Sequence, residues 1–216
     1  MTSTEFELTG GATYGLMNAT WPFATLRVNK NELELNISLL GNLHFRPEDV
    51  VSITASGVSF FSSGIRIIHK VKGYYSTVIF KSFTNTDSIL RQIQQTGFLD
   101  NKERLPVYED TTITTMQEKG GFAMKIPAAI AIVVIWNLLF LPNFVHTFQN
   151  NKVPFIGMNL GLCFMLLLSL TLLISEPVRD LVLKEGRTLK HIKTFVLFMA
   201  LLSTLMLGMS FLLPQF

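Results

Sequence analysis

Three long stretches toward the end of the chain contain no Asp, Glu, Lys or Arg: Ile126–Asn151, Val153–Ser175 and Thr194–Phe216. Crossing a hydrocarbon core of ~30 Å takes about 20 apolar residues in a helix. Each stretch meets that length, which a buried helix of a water-soluble domain rarely needs. The chain is therefore expected to be integral to a membrane, with spans at 126–146, 154–174 and 194–213. Any function must then fit a head that works in water, carried on a membrane anchor.

The 216 residues are enough for one soluble domain and a small helical bundle. Residues 1–125 carry twelve Lys/Arg and twelve Asp/Glu, so the head is formally neutral. The net charge of +3 therefore lies in the remainder, where Lys152, Arg179, Lys184, Arg187, Lys190 and Lys193 face only Glu176, Asp180 and Glu185. A basic excess beside membrane spans points to surface potential and topology, not to nucleic acid. The single cysteine, Cys163, falls in the second apolar stretch; it allows no disulfide within the chain and no Cys₄ or Cys₂His₂ metal site. The opening MTSTEFELTGGATYG lacks a basic segment followed by an apolar one, so no secretory signal is expected there and the head is placed in the cytoplasm.

Basic residues in short loops mark the cytoplasmic side. Lys119 and Lys125 precede the first span, and five Lys/Arg (Arg179, Lys184, Arg187, Lys190, Lys193) lie between the second and third. The loop between the first two spans offers only Lys152, and Leu212–Phe216 carries no charge. Three spans put the head and the basic loop on one side. The expected orientation is head inside and C-terminus outside.

In the head, Ala24–Val28 and Glu32–Leu40 alternate as strands around a tight turn at Asn29-Lys30-Asn31. Leu43–Phe45 and Val50–Thr54 read as a further strand pair or one bent strand, broken at Arg46-Pro47-Glu48-Asp49. Gly64–Val71 alternates, Lys72-Gly73 turns, and Thr77–Phe83 returns. The period then becomes helical: Thr86 is the predicted N-cap, Ile89, Leu90 and Ile93 share a face, and Gly97 suits the C-terminal cap. A β-meander closed by one amphipathic helix is an α+β arrangement. Leu99–Gly121 is mostly polar and Thr-rich, and reads as a tether. The predicted division is a head at 1–99, a polar linker at 100–123 and a three-helix membrane domain at 124–216.

The order of about seven strands and one closing helix, with the wording TWPFATLRVNKNELELN, FRPEDVVSI, GIRIIHKVKGYYSTVIF and QQTGFL, resembles the bacterial members of the pleckstrin-homology (PH) or GRAM superfold. The resemblance covers Tyr14–Leu99. It implies an antiparallel sandwich or barrel closed by a C-terminal helix, and it rests on strand edges, not on catalytic residues. In lipid-binding members of that superfold, basic side chains at one strand–loop edge hold phosphates.

Arg66, His69, Lys70 and Lys72 fall within seven residues of one hairpin. On a strand Arg66, Ile68 and Lys70 share a face, so Arg66 and Lys70 with Lys72 would form a phosphate clamp. The same pattern also suits a solvated face that keeps a sheet edge soluble. In the second loop, Ser175-Glu176-Pro177 suits a helix start and Gly186 a stop. Lys184, Arg187, Lys190 and Lys193 follow; they either meet anionic lipid or only fix topology. In the second span Gly157 and Gly161 form a GxxxG pair beside Asn159, and in the third Ala200, Thr204 and Gly208 are four apart. These stripes suggest that the two spans pack on each other or on a second copy, although glycine is common in membrane helices anyway. Asn137 and Pro142 suggest a kink in the first span with a polar group facing protein.

Catalytic signatures are missing from the sequence: His44, His69, His146 and His191 have no HxxxH or HExxH spacing, and no G-x-S-x-G, Walker A or Rossmann glycine pattern occurs. Gly10-Gly11 and Gly120-Gly121 read as hinges. No Asp, Glu, Lys or Arg lies within a span, which argues against a pump or ion-coupled carrier. The expectation is a membrane-anchored binding or scaffold protein, not an enzyme, without metal or cofactor. Its expected partners are membrane lipids and either a second copy or another membrane protein. The alternatives are an accessory or regulatory subunit of a larger membrane complex, and a membrane enzyme with an unrecognised site.

Overall fold

The computed structural model of the protein describes residues 5–56, 63–103, 105–119, 121–150 and 156–212. Lys152, Gly120 and the tail 213–216, all used above, lie outside the described residues. The chain divides into two compact units, Met1–Ala123 and Met124–Phe216.

Unit 1 is a curled antiparallel half-barrel followed by helices. Its strands are β1 (Glu5–Tyr14), β2 (Met17–Asn29), β3 (Leu33–Asn36), β4 (Asn42–Phe45), β5 (Val50–Ser56), β6 (Ser63–His69) and β7 (Val78–Ser82). They form one sheet in the order β4-β3-β2-β1-β7-β6-β5. The two hairpins expected from alternation are present. β2 pairs with β3 around a turn in which Asn29 Oδ1 accepts from the Asn31 and Glu32 amides at 2.8 and 2.9 Å. β6 pairs with β7, Arg66 lying opposite Ile79. Inward side chains such as Leu26, Leu35, Phe45, Ile65, Ile67 and Phe80 are fully buried in a single core.

Two features of the sheet differ from expectation. β4 and β5 do not pair; they lie at opposite edges of the sheet. Between them Pro47–Asp49 makes a 3₁₀ turn, fixed by the Arg46 amide donating to Asp49 Oδ2 at 3.0 Å, which redirects the chain. Gly10 and Gly11 are not a hinge but the middle of β1, where a bulge falls between Gly10 and Ala12. A Cβ on Gly10 would stand 2.2 Å from Lys81 O, so the bare backbone is what lets β1 close against β7.

Helix α1 (Thr86–Gln95) buries Ile89 and Ile93 against the sheet. Its N-cap is Asn85, one residue before Thr86, with Asn85 Oδ1 accepting from the Asp87 amide at 2.8 Å. Gly97 follows at φ +74°, the left-handed conformation that suits a helix end. The segment read as a polar tether instead contains helix α2 (Val107–Glu118), which packs on β4. Its only buried apolar side chain is Ile113, so polar contacts hold it.

Unit 2 contains α3 (Ile126–Asn150), α4 (Ile156–Ile174), α5 (Glu176–Val182) and α6 (Leu189–Leu212). Three of these are long and apolar enough to cross a membrane: Ile126–Asn143, Ile156–Ile174 and Leu189–Ser210, with mean hydropathies of 1.9, 2.1 and 1.9. α5 starts as expected, Ser175 Oγ accepting from the Val178 amide with Pro177 in the first turn. It ends at Val182, earlier than the expected stop at Gly186. α6 begins at Leu189, so Lys190 and Lys193 stand on the helix itself and not in the preceding loop. Lys125 joins the start of α3 to α5, its amide donating to Val182 O and its Nζ to Asp180 O at 2.6 Å.

α4 packs against both α3 and α6, but the two small-residue stripes do not meet. Gly157 and Gly161 face α3: their added Cβ atoms would lie 2.8 Å from Leu139 O and 2.6 Å from the Phe140 ring. The Gly157 amide donates to Asn143 Oδ1 at 2.8 Å. On α6, Thr204 is exposed and donates to Ala200 O in its own helix, while nothing lies within 4 Å of a Cβ on Gly208. The buried side chains of α6 are Ile192, Val196, Ser203 and Ser210, on another face. Asn137 is exposed and donates to Val133 O one turn back, so it does not face protein as expected. α3 continues through Pro142.

Candidate functional site

The outer face of the half-barrel is set by the pleat. Along β6, Ile65 and Ile67 point into the core, and Arg66, Ile68 and Lys70 stand on the exposed side. The clamp residues Arg66 and Lys70 therefore share the face that alternation assigned them, and Lys72 is exposed in the turn beyond. Among the described residues none of the three side chains has a hydrogen bond or an ion pair. The hairpin base is held by its backbone and by His69, whose Nε2 donates to Tyr75 O at 2.9 Å. The Lys70 amide donates to Asp49 O at 2.9 Å, which ties the basic edge to the 3₁₀ turn.

Register extends this face inward across the sheet. Arg66 lies opposite Ile79, Ile79 opposite Thr13, and Thr13 opposite Asn18. In the next row Lys81 stands between two glycines, Gly64 on β6 and Gly11 on β1. Both glycines are buried, Gly11 beneath the β2 backbone at Ala19, and a trough is left beside Lys81. It opens into a cleft of about 240 Å³ walled by Trp21 and Phe83. These rings are 55% and 74% exposed and meet edge to face with centroids 6.0 Å apart. Lys81 Nζ donates to Asn18 Oδ1 at 2.9 Å and has no carboxylate partner among the described residues.

A second cleft, of about 340 Å³, lies between the β2–β3 turn and α2. Its acidic groups are already engaged: Glu109 accepts from Asn31 Nδ2 at 2.9 Å, and Glu32 contacts His44 Nδ1. Beside it, Arg46 is the fastener of α2. Its Nε lies 2.6 Å from Asp110 Oδ1, and its Nη2 donates to Asp110 O at 2.9 Å and to Thr114 Oγ1. Gln117 Nε2 completes the attachment, donating to His44 O at 3.0 Å and Asp49 Oδ2 at 2.7 Å. This cleft is built by structural contacts and presents no free charge for a ligand.

In unit 2, Lys190 and Lys193 are exposed on the first turns of α6, and Lys184 and Arg187 are half-buried before it. The Thr188 amide donates to His191 Nδ1 at 3.1 Å, capping the start of α6. Gly157 and Gly161 are packing residues of the α3–α4 contact, while on α6 Thr204 is exposed, nothing lies within 4 Å of a Cβ on Gly208, and Ala200 is half-buried. Asn159 Oδ1 is buried without a hydrogen-bond partner among the described residues. Among the described residues no three His, Cys, Asp or Glu side chains are grouped to hold a metal ion.

Sequence reasoning missed Trp21, Lys81, Phe83 and Arg46. Trp21 and Phe83 lie about sixty residues apart, and only the β1–β7 pairing brings them together. The available signal was an alternation in Val78–Ser82 that puts Lys81 on the face opposite Phe80. No family model matches the chain, and no curated protein matches it.

Proposed function

We propose that this chain is a membrane-anchored binding or scaffold protein that presents a PH-like domain at the cytoplasmic face of the membrane. The seven-stranded half-barrel closed by α1 fits that superfold. The observation that carries the reading is the free basic edge. Arg66, Lys70 and Lys72 project from one hairpin with no acidic partner among the described residues, on a chain that also carries three apolar helices. Cations near an anionic bilayer contribute about 1 kcal/mol each, so three of them favour docking by roughly a hundredfold. The partners are then anionic lipid headgroups, not nucleic acid, and the role is binding rather than catalysis. The basic surface of Lys184, Arg187, Lys190 and Lys193 lies on the same cytoplasmic side.

The test is photo-crosslinking of the full chain in nanodiscs containing a headgroup-reactive anionic lipid. Label is expected on the peptide around residues 63–76 and is expected to disappear when Arg66, Lys70 and Lys72 are changed to Glu. Equal labelling of parent and variant removes the clamp. A reporter fused to the C-terminus tests the orientation, and cytoplasmic activity would overturn it.

A second reading, an accessory subunit of a larger membrane complex, is favoured by one observation. Asn137 is exposed midway along an apolar helix, where an amide is better covered by another helix than by lipid. A fixed protein partner that co-purifies with the parent but not with an Asn137→Leu chain would support it.

A further inference from the structure

We infer that the trough around Lys81 is a second, separate contact with the bilayer, in which Lys81 takes a lipid phosphate while Trp21 and Phe83 enter the headgroup–acyl boundary. The inference rests on the reading that unit 1 works at a membrane, but it uses none of the clamp residues.

Three independent features converge on this one place. The first is shape: Lys81 lies in a cleft of about 240 Å³ shared with Asn18, Thr20, Trp21 and Phe83, where the β2 backbone at Ala19 lies against Gly11. The second is charge. Lys81 donates to the neutral Asn18 amide, and among the described residues no carboxylate pairs with it. An uncompensated cation beside exposed aromatic rings complements an anionic surface and not a cationic one. The third is the wall. Trp21 and Phe83 together expose large aromatic surface to water, an arrangement with no packing role in the barrel core. Tryptophan beside a basic residue is the side-chain pairing that sits at a membrane–water interface, where the ring is half immersed and the cation meets phosphate. A bilayer is also the surface that the three apolar helices keep at high local concentration.

The chain has two tryptophans, Trp21 and Trp136, so a Trp136→Phe chain reports on Trp21 alone. This chain is reconstituted in nanodiscs of phosphatidylglycerol and phosphatidylcholine, with or without bromines on the acyl chains. Brominated tails are expected to reduce Trp21 emission at least twofold and to leave it shielded from aqueous iodide. Lys81→Glu is expected to restore most of the emission and the iodide access. Emission that ignores the bromines and falls freely with iodide overturns the inference. So does quenching that Lys81→Glu leaves unchanged. A Lys70→Glu/Lys72→Glu chain separates this contact from the hairpin clamp. Retained quenching leaves the trough standing when the clamp fails, whereas quenching lost here but kept in Lys81→Glu places the lipid at the hairpin and overturns the trough.

Discussion

The two units of this chain sort their residues by opposite rules. Unit 1 hides large apolar side chains, with Leu26, Phe45, Ile67 and Phe80 fully buried, and turns its charges outward. Unit 2 exposes Ile130, Val133, Leu138, Leu160, Leu167 and Leu205 and buries, beside Leu172, Ile192 and Val196, the small residues Gly157, Gly161, Ser169, Ser203 and Ser210. Water drives the first arrangement, because each buried apolar side chain contributes about 1.5–3 kcal/mol relative to exposure. Lipid offers no such gain between helices, so close approach of small residues decides the second. Glycine shows the contrast at one residue type. Gly10 allows two strands to pair, and Gly157 allows two helices to touch.

The comparison breaks most visibly if a core deletion in unit 1 also melts unit 2. Phe80→Ala is expected to destabilise unit 1 by about 3–5 kcal/mol through lost burial and the cavity left behind. Thermal scans that follow near-ultraviolet and far-ultraviolet circular dichroism together check this. The tertiary signal of the head should fall early while helical signal persists, and a single shared transition would contradict independent units. A smaller effect, about 2–3 kcal/mol, is expected from Arg46→Ala, which leaves the largely buried Asp49 carboxylate and the Gln117 carboxamide oxygen without their cationic partner. Hydrogen exchange should quicken at 107–118 and remain slow in β1, β2 and β7; equal change throughout would mean that α2 is an integral part of the sheet's cooperative unit.

Within unit 2, Gly157→Ala is expected to cost about 1–3 kcal/mol, because its Cβ meets a backbone oxygen that cannot yield. Gly208→Ala is expected to be neutral or slightly stabilising, since open space surrounds it and alanine is the better helix former. Detergent-titration unfolding of the two variants in parallel checks the pair. Equal losses would show that the α6 stripe is covered after all. The smallest expected effect is alkaline. Burial holds the Tyr14 hydroxyl above its ordinary value, so the folded state favours the neutral phenol. That contribution is complete below the unfolded value of ~10 and is lost as pH rises through the raised folded one. Tyr14→Phe should therefore flatten the loss of stability above pH ~10, read as denaturant midpoints on either side of it. An unchanged slope would assign the alkaline loss to other groups.

What the sequence disclosed follows from range. The β2–β3 and β6–β7 hairpins and the three apolar helices are written locally, as alternation around a turn or as twenty residues without charge. α1 was found for the same reason, and its N-cap moved one residue because Asn85 and Thr86 are both competent caps. β1 was overlooked because Gly10-Gly11 interrupts its alternation, although those glycines are what the β1–β7 approach requires. α2 was overlooked because it lacks an apolar period, and its stability is supplied by Arg46, distant in sequence. Arg66 and Lys70 stand on the one exposed side that the pleat assigns them. The trough was invisible because its walls come from β2 and from the end of β7. The α4 stripe was recognised, but its partner was misassigned: a GxxxG pair states that some helix comes close, not which one.

The pairing of β1 with β7 sets an order on biosynthesis. Gly11 meets Lys81 across roughly seventy residues of chain, whereas every other strand pair joins near neighbours. The β1–β4 meander leaves the ribosome first, with one flank of β1 still vacant. At ~5–20 residues per second the complementary strand arrives several seconds later. During that interval the nascent chain shows an unpaired strand edge, the kind of surface that invites mispairing. A translational pause before Val78 would lengthen that window, and a chaperone that shields strand edges would matter most for this stretch of the message.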